Sequence, residues 1–127
     1  MRPAKPTLTG QELEIMKVIW QMETPTVRQV YEALLKKRRI AYTTVMTMMN
    51  ILEQKGYLTK QQRERAYVYQ PAQPQNQVIR GMVREFIDRV FNGSAEPLVA
   101  HLVEDRRLTE SDLEEIRKTI KSARRAR

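Results

Sequence analysis

Apolar residues return along this chain at helical spacing in six stretches and in strand-like alternation in two short ones, with capping and turn residues between them. Leu13, Met16 and Trp20 recur at i, i+3 and i+7 with Ile15, Ile19 and Met22 beside them. This predicts a helix from about Gly10 to Met22 that buries a wide face. Thr9-Gly10-Gln11-Glu12 reads as its capping box, because Thr9 and Glu12 can each satisfy an orphaned backbone N–H, and Leu8 with Leu13 forms the hydrophobic staple. Thr24-Pro25 ends the helix. A second box, Thr26 to Gln29, opens the stripe Val27, Val30, Tyr31, Leu34 and Leu35. Its end, Lys36-Lys37-Arg38-Arg39, reads equally as a solvated helix terminus or as a phosphate contact.

The segment from Tyr42 to Lys55 carries two complementary faces. Val45, Met48, Met49 and Leu52 form an apolar stripe, while Thr43, Met46, Thr47 and Asn50 repeat the same spacing on the other side. That second face has hydroxyls, an amide and a thioether where a surface helix usually carries Lys and Glu, so it suits approach to a nucleic-acid groove. Gly56 reads as the C-cap. Tyr57 to Gln62 and Ala66 to Gln70 then alternate as two strands around Arg63-Glu64-Arg65, a hairpin with a basic tip. Pro71 and Pro74 close this unit, giving a first domain of residues 1–74 and a second of 75–127.

The second stretch predicts three helices. Val78, Ile79, Met82, Val83, Phe86, Ile87, Val90 and Phe91 make a broad stripe that ends at Asn92-Gly93. Leu98, Val99, Leu102 and Val103 follow Pro97, and Thr109 caps a last helix with Leu113, Ile116 and Ile120. The final residues, Lys121 to Arg127, read as a fraying basic tail. About fifty residues rarely build a sufficient core alone, so these faces call for a second copy of the chain, the rival reading being that they fold back on the first unit in one compact monomer.

Composition narrows the chemistry. Net charge is +8, with twelve basic against six acidic side chains in residues 1–74 and eleven against nine thereafter, so the excess sits on the helix-and-hairpin unit. That distribution suits a polyanion at the first unit and protein at the second. The absence of Cys excludes disulfides, thiolate metal sites and Cys nucleophiles. The basic, Pro-containing start, Met1 to Pro6, leads into no apolar run of a signal peptide, and no stretch has the length of a membrane-spanning helix, so a cytoplasmic protein is expected. His101 is the only histidine, the carboxylates Glu104-Asp105 and Glu114-Glu115 fall on solvent faces, and four glycines make no phosphate loop. No enzyme, cofactor, metal site or small-molecule ligand is therefore expected. Trp20, Tyr31, Met16, Met22, Met48 and Met49 are assigned to the core.

The order helix, helix, helix, hairpin is that of a winged helix-turn-helix, so the fold class is mainly α with a small β-hairpin wing, followed by a C-terminal helical dimerisation arm. Leu8-Thr9-Gly10-Gln11-Glu12-Leu13-Glu14-Ile15-Met16 to Trp20, Val27-Arg28-Gln29-Val30, Ala41-Tyr42-Thr43-Thr44-Val45-Met46-Thr47 and Lys55-Gly56-Tyr57-Leu58 resemble the penicillinase-repressor family of the BlaI/MecI/CopY type. Residues 75–120 are similar to its dimerisation region. The resemblance implies a homodimeric transcriptional repressor on a dyad-symmetric DNA operator, with Tyr42, Thr43, Met46 and Thr47 aimed at the major groove. The helical faces add Asn50, and Arg28, Arg63 and Arg65 complete the expected DNA contacts. Ile79, Met82, Val83, Phe86, Val90, Leu98, Leu102, Leu113, Ile116 and Ile120 are the expected dimer contacts. The family also implies derepression through a membrane-bound sensor and protease that cleaves in the arm. The matching bond here is His101-Leu102, where the best-known members carry Asn-Phe. The copper-responsive branch relies on C-terminal Cys ligands that this chain lacks. A protein-interaction adaptor built on the same winged helix is the alternative.

Overall fold

The computed structural model describes residues 7–125 and contains α1 (Gly10–Met22), α2 (Val27–Leu35), α3 (Tyr42–Gln54), β1 (Leu58–Arg63), β2 (Ala66–Pro71), α4 (Gln75–Phe91), α5 (Glu96–Glu104) and α6 (Glu110–Arg125). The basic start, Met1 to Pro6, lies outside the described residues, as do Ala126 and Arg127. Lys121 to Arg125 belong to α6 rather than to a frayed tail.

Both expected capping boxes are closed. Thr9 Oγ1 accepts from the Glu12 N–H while Glu12 Oε1 accepts from the Thr9 N–H, and Thr26 and Gln29 repeat the arrangement. Thr109 and Asp112 form the same reciprocal pair at the start of α6. The link from α1 to α2 is tight. Glu23 sits at φ 72°, ψ −75°, with the Thr24 N–H donating to the Met22 carbonyl, which is a strained γ-turn. α3 ends in a Schellman motif: Gly56 takes φ 89°, its N–H donates to Glu53, and the Tyr57 N–H reaches back to Leu52.

β1 and β2 are antiparallel, in a register that sets Leu58 opposite Pro71 and Arg63 opposite Ala66. The hairpin turn is therefore Glu64-Arg65, and Arg63 is the last paired residue of β1 rather than part of the tip. Glu64 bears the positive φ, 55°, that such a turn demands. Pro71 ends β2 inside the pairing, which costs no ladder bond at the terminal position of an edge strand.

The chain divides into two compact units, one ending at Met82 and one beginning at Val83, eight residues beyond Pro74. The reason lies in α4. Val78 is 5% exposed in the core of the first unit, and Met82 packs against that core. Met82 is thus half-buried on its own chain, which leaves only part of its surface for a dimer contact. The core itself is built from Ile15, Met16, Ile19, Val30, Leu34, Val45, Met49, Leu52 and Leu58. Met22, expected inside, is the last residue of α1 and is 39% exposed.

One ion pair fastens this unit from within. Lys55 Nζ lies 2.8 Å from Glu12 Oε1, tying the start of α1 to the C-cap of α3, and Glu12 is buried. Burial alone would raise the Glu12 carboxyl. The Lys55 ammonium and the Thr9 backbone N–H outweigh it and hold the group below its ordinary value of 4.5.

The second unit, taken by itself, shows a different surface. Val83, Phe86, Val90, Val99, Val103, Leu113, Ile116 and Ile120 are 40–49% exposed, and no residue of α5 is buried. α5 closes with Arg106 at φ 60°, whose N–H donates to Val103 while Arg107 donates to Leu102, a Schellman motif without its usual glycine.

Candidate nucleic-acid interface

α3 carries the expected division of faces. Val45, Met48, Met49 and Leu52 are buried, while Tyr42, Thr43, Met46 and Thr47 are exposed. The helix is held from beneath by its own stripe, so its outer side chains project from a fixed backbone. Asn50 differs from the other four: it is half-buried, and its Oδ1 accepts a hydrogen bond of 3.1 Å from the Tyr69 hydroxyl.

Tyr42 connects α3 to α2. Its ring meets Tyr31 edge-on at 5.5 Å between centroids, and the Arg28 guanidinium lies 5.8 Å from its centre. Arg28 also reaches Glu32 at 3.6 Å, an exposed pair of little energetic weight. The Tyr42 contact sets the Arg28 charge beside the start of α3.

On the hairpin, the Lys60 ammonium sits 4.9 Å from the centre of the Tyr67 ring. Arg63, Arg65 and Lys60 are all exposed. A cleft of about 580 Å³ opens between α3 and the hairpin, lined among others by Arg28, Tyr42, Asn50, Lys60, Arg65 and Tyr67. The expected Arg28, Tyr42, Met46, Asn50 and Arg65 meet there, whereas Arg63, Thr43 and Thr47 are not among its lining residues.

Sequence reasoning did not select Lys60, Tyr67 or Tyr69. The period-two spacing already set both tyrosines on one face. Lys60 joins them only once the two-residue turn fixes the register, which places it opposite Tyr69. The cationic run after α2 separates by role. All four are exposed, but Arg38 binds Glu14 at 2.9 Å and so links the end of α2 to α1. Arg38 therefore serves the fold.

Of the expected dimer contacts, Ile79, Val83, Phe86, Val90, Leu113, Ile116 and Ile120 are exposed, and Leu98 and Leu102 are half-buried. His101 and Leu102 lie inside α5. The imidazole is exposed, with its ring 5.8 Å from that of Phe91. Among the described residues no group of three or more His, Asp or Glu side chains is placed to hold a metal ion, and no helix is long and apolar enough to cross a membrane.

The comparisons with known proteins agree with this geometry. The family model described as penicillinase repressor matches residues 8–122. The transcriptional regulator BlaI of Mycobacterium tuberculosis is 36% identical over 104 residues, covering 80% of this chain and 75% of that protein. The penicillinase repressor of Bacillus licheniformis is 29% identical over 111 residues, 87% of each chain. The solution structure of the DNA-binding domain of the repressor BlaI matches with a TM-score of 0.52 and 31% identity, covering 58% of this chain and 90% of that one. The Bacillus licheniformis BlaI monomeric form in complex with the blaP half-operator matches with a TM-score of 0.51 and 32% identity, covering 57% and 89%. A winged helix with a bare polar α3 face, matched by one family model over both of its units, belongs to the penicillinase repressor family of DNA-binding transcriptional repressors.

Proposed function

We propose that the chain represses transcription in the cytoplasm as a homodimer on a dyad-symmetric operator, each protomer laying α3 in the major groove and its hairpin beside the phosphate backbone. The observation that carries this reading is the α3 surface: Thr43, Met46 and Thr47 stay exposed while the opposite side of the same helix is fully packed. Threonine hydroxyls can pair with several base edges and methionine offers apolar contact to a thymine methyl, so these side chains read sequence. Arg28, Arg63, Arg65 and Lys60 supply sequence-independent attraction to phosphates. The BlaI half-operator complex supports the same placement by its similarity to this unit.

The exposed stripes of α4 and α6 support pairing of two copies, which sets half-sites about 10 bp apart or at a multiple of that spacing. The family resemblance adds cleavage at His101-Leu102 as the route of relief. Because that bond lies within α5, a protease gains access only when the helix opens locally, and cleavage there should be slow in the DNA-free dimer.

Competition titrations at two salt concentrations test the DNA reading. Neutralising Arg63 or Arg65 should weaken binding to all sequences and lower the salt slope by about one unit per lost phosphate contact. Replacing Thr43, Met46 or Thr47 by alanine should change which sequences are preferred. Identical behaviour of the two classes would refute the assignment of roles.

A further inference from the structure

Of Thr43, Met46, Thr47 and Asn50, Asn50 is the one whose side chain is hydrogen-bonded among the described residues. Its partner is firmly placed. Tyr69 is 3% exposed, and its backbone N–H donates to the Pro25 carbonyl at 2.9 Å, so β2 is anchored to the link between α1 and α2 where the hydroxyl meets Asn50. Burial, with the Glu53 carboxylate adding to it, raises the Tyr69 phenol above its ordinary value of 10, and the group stays a protonated donor.

An amide whose oxygen is occupied presents its NH2, which can only donate. The cleft that Asn50 lines also carries Arg28, Lys60, Arg65 and three tyrosines, and no carboxylate stands among its described lining residues. A base edge mixes donors and acceptors, and an asparagine reads adenine with both ends of its amide. With one lone pair of Oδ1 taken by Tyr69 and the amide held by that bond, Asn50 is not free to turn both of its ends to one adenine edge. A phosphodiester, by contrast, offers acceptors alone.

We propose that Tyr69 is a positioning residue of the DNA site: its buried hydroxyl turns the Asn50 amide so that the NH2 faces the cleft between α3 and the hairpin, where it meets a backbone phosphate rather than a base. The inference rests on the DNA-binding reading above and reassigns Asn50 within it, from sequence readout to placement of the strand. The cleft then grips the backbone while Thr43 and Thr47, outside it, and Met46, which lines it from α3, read the bases.

The test uses the full chain, a duplex selected by this protein from a random-sequence pool, and a scrambled duplex. Wild type, Y69F, N50A and the double variant are titrated against both. N50A leaves the core residue in place and carries the test should Y69F unfold. Each single variant should weaken both duplexes by the same factor, about threefold to tenfold for one lost hydrogen bond, and the double should be no weaker than N50A. On selected duplexes bearing one neutral methylphosphonate each, the N50A loss should vanish at a single phosphate position. A fall in the ratio of selected to scrambled affinity, independent losses in the double variant, or wild-type binding by both single variants would overturn the inference while leaving the repressor reading intact. Absence of salt-sensitive binding by the wild-type chain to either duplex would overturn both.

Discussion

Both units of this chain are made of amphipathic helices with capped starts, yet only one of them buries its apolar faces within itself. In the first, Ile15, Leu34, Met49 and Leu52 are almost fully removed from water. In the second, Phe86, Val90, Leu113, Ile116 and Ile120 remain 40–49% exposed. The stripes are equally regular along the sequence. What differs is the partner: three helices and a hairpin close on one another, whereas the apolar stripes of α4, α5 and α6 stay part-exposed. An apolar patch of that kind marks an association surface.

The strongest way to break this contrast is to charge the exposed stripe. F86D or I116E in the full chain should convert the dimer to monomer in sedimentation and reduce operator affinity by about 10²- to 10⁴-fold through loss of the two-site effective concentration. Far-field unfolding of the winged helix should be untouched. A variant that still sediments as a dimer would remove α4 and α6 from the interface.

Alanine at matched positions sharpens the same comparison. I15A should lower stability by about 2 to 5 kcal/mol at every protein concentration, the cost of a cavity in a closed core. I116A should instead shift a midpoint that depends on protein concentration, because on the proposed pairing its remaining exposed surface is covered by the second copy. Thermal unfolding over a dilution series separates the two.

Acid should act mainly on the first unit. The Glu12 carboxyl is held below its ordinary value by Lys55 and Thr9, and Glu14 is held down by Arg38, so the folded state binds fewer protons than the unfolded one. The stability they contribute is complete above the unfolded value near 4.5 and is lost as pH falls through the lower folded values. E12Q should cost roughly 1 to 3 kcal/mol at neutral pH and flatten the acid limb of the unfolding profile. An unchanged acid limb would show that the ion pair does not govern acid stability.

The smallest effects come from backbone strain, tested at one of the left-handed sites in each unit. Glu64 and Arg106 hold left-handed conformations at φ 55° and 60°. E64G and R106G should each stabilise its own unit by about 1 kcal/mol, offset in part by the greater freedom of glycine when unfolded. Destabilisation by either would mean that its side chain makes a contact worth more than the strain.

Much of this architecture was legible in the chain. Thr9-x-x-Glu12 and Thr26-x-x-Gln29 marked two helix starts, Gly56 marked the end of α3, and the opposed stripes of Val45, Met48, Met49, Leu52 and Thr43, Met46, Thr47 identified the face left for a ligand. The candidate site was less complete. Lys60 and Tyr69 were invisible because their role depends on hairpin register and on the approach of β2 to α3, neither of which a one-dimensional pattern contains. Pro74 suggested a boundary that the packing of Val78 and Met82 moved to residue 82.

Local chemistry, then, decided which residues form helices, where those helices begin and end, and which of their sides are apolar, since capping, φ preference and 3.6-residue periodicity act between near neighbours. Only tertiary structure decided which apolar sides are covered, that Arg38 is tied to Glu14, and that Asn50 is turned by Tyr69. Those outcomes join residues nineteen or more positions apart, and no spacing along the chain encodes a distance in space.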